Sequence, residues 1–85
     1  MSNRFNYGII PTATIDGLKR YSEDRLPPGG FLTAVLENDL SGAVSHADEG
    51  NADALVQISC FIYNHLPSDC WGNPEKVTKW LEGRK

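Results

Sequence analysis

The sequence predicts an all-α fold, a compact bundle of about four short helices with an extended N-terminal arm, and two observations carry that prediction. Apolar residues recur at helical intervals from Leu32 to Ala47 and again from Leu55 to Tyr63. The gaps between these stretches hold proline, glycine, asparagine and aspartate, which suit helix ends. With 85 residues there is room for one hydrophobic core, so residues 1–85 form a single domain. A composition of 40% apolar and 22% charged residues lies near the globular average, which argues against disorder.

Residues 1–11 form the arm. Phe5, Tyr7, Ile9 and Ile10 are apolar but end at Pro11, so this segment reads as extended chain or a short strand lying on the core, without a partner strand. The first helix is expected over 12–25, with Thr12 as N-cap and Ile15, Leu18 and Tyr21 recurring every three residues. Gly17 weakens it, and Pro27 pushes Leu26 out of helical geometry. The second helix, 30–47, is the clearest: Leu32, Val35, Leu36, Leu40, Ala43, Val44 and Ala47 hold the i, i+3, i+4 pattern throughout. Pro28, Gly29 and Gly30 open it, and Asp48 to Gly50 close it.

The third helix is expected over 52–65, capped by Asn51. It carries Val56, Cys60 and Tyr63 on one face and Leu55, Ile58, Ile62 and Leu66 on another, so it is either central or shared between two subunits. The fourth, 74–82, has the strongest start signal: Asn73 to cap, Pro74 at the first helical position, where no N–H is missed, and Glu75 to complement the dipole. No internal repeat is present.

The net charge of −3 is spread without a long acidic run, which demotes a DNA mimic, and the cations are too few for a conventional nucleic-acid binder. No stretch approaches a membrane span or a signal-peptide core, so the expectation is a cytoplasmic protein. Cys60 and Cys70 are expected as free thiols, with Cys60 a small buried hydrophobe. A domain this small buries only about 60% of its unfolded surface, so a homo-oligomer is expected.

Two blocks carry a resemblance. PPGGFLTAVLENDL (Pro27 to Leu40) and YNHLPSDCWGNPEKVTKW (Tyr63 to Trp80) resemble a family of small uncharacterised proteins of bacteriophages and prophages. The similarity spans about Tyr7 to Leu81. It implies a phage-borne accessory product, a class whose members commonly inhibit a host factor or sequester a signalling molecule. It supplies no catalytic residues.

The candidate ligand site is the PPGGFL loop. Gly29 and Gly30 open a helix whose first N–H groups are unsatisfied and whose dipole end is positive, Arg20 and Arg25 lie close in sequence, and Phe31 is placed to stack on a ring. Against that, any tight interhelical turn uses such residues, and Phe31 would then be core. Asn38 and Asp39 have poor mid-helix propensity, so they either face a ligand or lie on a solvated face with a local side-chain bond. Trp71 is either packed locally or an exposed anchor for a partner, whereas Trp80 reads as core.

No cofactor or metal is expected. Cys60, His65, Cys70 and the more distant His46 fit no common zinc spacing, no Cys–His nucleophile pair stands out, and Ser41 and Ser45 lack a nearby base. The expectation is therefore a non-enzymatic binding protein whose partner is a host protein or a small anionic, nucleotide-like ligand. The alternatives are a small DNA-associated regulator and a structural or assembly component of the phage.

Overall fold

The computed structural model describes residues 7–83, and within them every regular element is a helix, with no strand. A 3-10 turn, Tyr7–Ile9, leads into α1, Thr12–Asp24; then follow α2, Gly30–Leu36, α3, Leu40–His46, α4, Glu49–Asp53, α5, Leu55–His65, a second 3-10 turn, Ser68–Cys70, and α6, Pro74–Glu82. Six α-helices thus stand where four were expected. The described part of the arm is a helical turn rather than extended chain, and Ile10 behind it is buried. Residues 1–6 of the arm lie outside the described residues.

α1 starts where the periodicity places it, but Pro11 and not Thr12 is the capping position; no side chain caps this end, and the Pro11 carbonyl accepts from the Thr14 and Ile15 N–H groups. Its other end is set by Arg25, which adopts the left-handed conformation at φ 58°. The Arg25 N–H then returns to the Tyr21 carbonyl and the Leu26 N–H to the Arg20 carbonyl, satisfying groups that would otherwise be orphaned. Gly17, expected only to weaken α1, lets α2 approach: a methyl group there would come within 3.3 Å of Leu32 Cδ1.

The expected helix 30–47 is broken. α2 ends at Leu36, Asn38 takes the left-handed conformation at φ 64°, and Asp39 becomes the N-cap of a new helix, its carboxylate accepting from the Gly42 N–H at 3.0 Å. The expected helix 52–65 is also divided. α4 is capped by Asp48, which accepts from the Asn51 N–H at 2.8 Å, and Ala54 separates it from α5. Asn51, expected as a cap, instead accepts from the buried Thr14 hydroxyl at 2.6 Å, tying α1 to α4. Only α6 matches its expectation in full, with Asn73 accepting from the Lys76 N–H at 2.8 Å.

One core gathers Leu18 and Tyr21 of α1, Leu32 and Leu36 of α2, Ala43 of α3, Ile58 and Ile62 of α5, Cys70 of the second 3-10 turn and Val77 of α6. Three hydrogen bonds join distant parts of the chain around it. The Tyr21 hydroxyl donates to the Cys70 carbonyl at 2.6 Å, Trp80 Nε1 donates to the Tyr21 carbonyl at 2.8 Å, and the Gly72 N–H donates to the Leu36 carbonyl at 2.7 Å. Among the described residues no buried side-chain nitrogen or oxygen lacks a partner. Trp80, expected inside, is half-buried at the edge, and of the two cysteines it is Cys70 that is fully buried while Cys60 is only half-buried.

Burial pushes the Cys70 thiol from 9.0 up to about 11, and burial likewise raises the Tyr21 phenol well above 10.0. Both groups keep their protons in the fold to higher pH than in the unfolded chain, so the stability they contribute is present below pH 9 and is lost as pH climbs. Thermal melts are expected to show the midpoint falling between pH 9 and pH 11. A disulfide reagent is expected to modify one thiol, that of Cys60, in the folded chain and both only after denaturation; rapid modification of both would contradict this burial.

Candidate functional site

The break between α2 and α3 creates the most distinctive surface of the molecule. In a continuous helix, Leu40 and Val44 would extend the stripe begun by Leu32, Val35 and Leu36. The left-handed turn at Asn38 resets the helical phase, so α3 folds back against α2 with Ala43 as its buried residue. Leu40 and Val44 are left 68% and 59% exposed. On α5 the buried positions are Ile58 and Ile62, which leaves Val56 and Tyr63 65% and 71% exposed. Of the five large apolar side chains exposed among the described residues, these are four; the fifth is Ile9.

Two of the four, Leu40 and Tyr63, line a continuous groove. One part, about 60 Å³, lies between Leu40, Ala43 and Leu55; the other, about 200 Å³, runs past Ile62 to Tyr63 and Trp71; and both share a floor of Val35, Asn38 and Ser59. Trp71 closes the far end. Its Nε1 donates to the Leu66 carbonyl at 3.3 Å and its ring packs on that of Tyr63 with centroids 5.4 Å apart, so it is a half-buried wall rather than a free anchor. The amide of Asn38 and the hydroxyl of Ser59 make no hydrogen bond to another described residue and stand exposed in the floor.

The PPGGFL loop forms a separate groove of about 280 Å³ against α1, lined by Arg20, Gly29, Gly30 and Asn51 among others. Gly29 sits at φ 95°, a conformation that favours glycine. Phe31 lines this groove but is 8% exposed and belongs to the core, so its ring is not presented for stacking. Arg25 is elsewhere. Its guanidinium lies 3.7 Å from the centre of the Trp80 ring and donates to the Trp80 carbonyl at 3.3 Å, placing a cation at the negative end of α6. The structure therefore brings Arg20, Gly29, Gly30 and Phe31 together, and Asn38 with Trp71, and puts Arg25 in neither group.

The charge distribution separates the two sides of the sequence. From Leu26 to Pro74 there is no Lys or Arg, while Glu37, Asp39, Asp48, Glu49, Asp53 and Asp69 all fall there. The described cations are Lys19, Arg20 and Arg25, on α1 or its cap, and Lys76 and Lys79 on α6. Among the described residues no three His, Cys, Asp or Glu side chains converge on a point that would hold a metal. His46 lies on α3 with Nδ1 2.9 Å from the Gly42 carbonyl, and the Cys70 thiol donates to the Pro67 carbonyl at 3.1 Å. No described helix is long and apolar enough to cross a membrane.

Leu40, Val44, Val56 and Tyr63 were not singled out as site residues from the sequence. The signal that exposes the first two is the Asn38-Asp39 pair, since asparagine tolerates the left-handed conformation and aspartate caps helices. No protein-family model, no curated protein and no solved structure matches the chain.

Proposed function

We propose that this chain is a binding protein rather than an enzyme, an accessory protein of phage type that works in the host cytoplasm by occupying a host protein through the face formed by α3 and α5. The observation that carries the reading is the concentration of exposed large apolar side chains on these two helices, two of which, Leu40 and Tyr63, line a groove with Asn38 and Ser59 exposed in its floor. Exposed apolar residues scattered singly need no explanation, but a contiguous patch with a polar rim is the usual character of a protein-docking surface. Asn38 then serves as a hydrogen-bonding residue in the floor and Trp71 as the wall against which the partner ends.

The small-anion reading has one observation in its favour, the groove in which Arg20 and Asn51 face Gly29 and Gly30. It is the weaker of the two because Arg20 is its single cation and Phe31 is committed to the core. Stabilisation of the chain by a nucleotide that disappears in Arg20→Ala would favour it over docking.

Site-specific photocrosslinking tests the docking reading. With the photoreactive residue at position 44, on α3, a covalent adduct to a partner protein is expected in the producing cells; with it at exposed position 78, on α6, none is expected. The adduct should be lost when Val56→Ser and Tyr63→Ser are added. Equal adducts from both positions, or adducts indifferent to those two changes, would contradict the reading.

A further inference from the structure

The geometry points to an anion-binding site between the end of α1 and α6, where Arg25, Lys76 and Lys79 hold the phosphate group of a small phosphorylated molecule. The site shares no lining residue with the groove of α3 and α5 and stands independently of the docking reading.

Three of the five described Lys and Arg side chains line one open groove of about 380 Å³, together with Trp80 and a single carboxylate, Asp69. Arg25 caps α1, whereas Lys76 and Lys79 lie one turn apart on α6, so only the fold brings them together. No described carboxylate forms an ion pair with any of the three. Like charges gathered in this way repel one another, and an anion seated between them relieves that repulsion.

Two of the cations are held in place. The left-handed turn at φ 58° carries the Arg25 side chain onto Trp80, where the guanidinium lies 3.7 Å from the ring centre and donates to the Trp80 carbonyl at 3.3 Å. That bond uses one N–H of a planar fork whose other donors have no acceptor among the described residues. Lys76 Nζ donates to the Ser68 carbonyl at 3.2 Å and keeps further hydrogens for a ligand. A fixed fork beside two ammonium groups suits a phosphate, which takes paired hydrogen bonds from Arg and point charges from Lys. A purely structural role at the end of α6 would account for Arg25 but not for Lys76 and Lys79 beside it.

The ligand is small. A nucleic acid needs cations along many successive phosphates, and the described residues hold five in all, three of them already in this groove. The groove is larger than a phosphate group and falls within the roughly 300–1,000 Å³ of small-molecule sites, which favours an ester over the free anion.

Titration of the full chain, followed through the indole N–H signals of Trp71 and Trp80 in NMR spectra, tests this. Adenosine monophosphate, inorganic phosphate and adenosine are added at constant ionic strength set with chloride. The Trp80 signal is expected to shift saturably with the monophosphate, with a Kd of about 1 mM or below, more weakly with inorganic phosphate and not with adenosine, while the Trp71 signal stays in place. The Lys76→Gln, Lys79→Gln chain, whose exposed changes suit a helix, should remain folded and bind at least about tenfold more weakly. Asp69→Asn should bind more tightly. Gly83→Ala separates position from charge: at φ −73° alanine is tolerated, but its methyl group would collide with Arg25 Nη1, so the guanidinium must move and binding should weaken although no charge is lost. A Trp80 shift that only follows chloride, or one undiminished by the two lysine changes, overturns the site. Inorganic phosphate binding as tightly as the monophosphate overturns the ester in favour of the free anion. Binding abolished by Arg20→Ala instead places the ligand in the PPGGFL groove, and a single-stranded oligonucleotide binding at least about tenfold more tightly than the monophosphate overturns the small ligand in favour of a nucleic acid.

Discussion

Tyr21→Ala is expected to leave the chain without a cooperative unfolding transition. The ring is fully buried among Leu18, Leu36, Ile58 and Val77, and its hydroxyl satisfies the Cys70 carbonyl at 2.6 Å. Truncating a buried aromatic side chain costs about 3–5 kcal/mol. A buried carbonyl left without its donor costs about 1–3 kcal/mol more. A chain of 85 residues has roughly 4–12 kcal/mol in all, so the two losses together consume most of it. Tyr21→Phe isolates the second term, and urea titration followed by circular dichroism should find it folded but less stable by about 1–3 kcal/mol. An alanine variant that unfolded at the wild-type urea concentration would contradict the placement of Tyr21.

The second large effect is a contrast between neighbours on α5. Ile58→Glu is expected to unfold the protein, because Ile58 is fully buried within the apolar core and a carboxylate there would lose its hydration. Val56→Glu, two positions earlier on the opposite side of the same helix and 65% exposed, is expected to change stability by no more than about 0.5 kcal/mol. Thermal melts of the two variants read the phase of α5 directly. Loss of folding in Val56→Glu would mean that this face is internal, and the docking reading would fall with it.

How much of this was legible in the sequence differs from element to element. α6 could be read in full, because Asn73, Pro74 and Glu75 each act through local backbone chemistry that does not depend on the rest of the fold. The central break could not be read from periodicity. Leu40, Ala43 and Val44 continue the apolar spacing of Leu32, Val35 and Leu36, and a single helix would satisfy it equally well. What decides is the pair Asn38-Asp39, where a residue able to turn left-handed is followed by a capping carboxylate. Nearness in sequence misled in the same way at the loop. Arg25 lies four residues before Gly29, yet its left-handed turn carries the side chain to Trp80, a partner 55 residues away. Asn38 has a poor propensity for a helix interior, and it lies just past a helix end, in the floor of the groove.

Docking on α3 and α5 requires Leu40, Val44, Val56 and Tyr63 to face solvent. Methyl NMR spectra recorded with a soluble paramagnetic agent test that placement most directly. The methyl signals of Leu40, Val44 and Val56 are expected to broaden strongly, while those of Leu18, Leu36, Ile58 and Val77 stay sharp. If the Leu40 and Val44 methyls proved as protected as those of Leu36, residues 30–47 would form one unbroken helix with its apolar stripe inside, and there would be no face for a partner to occupy.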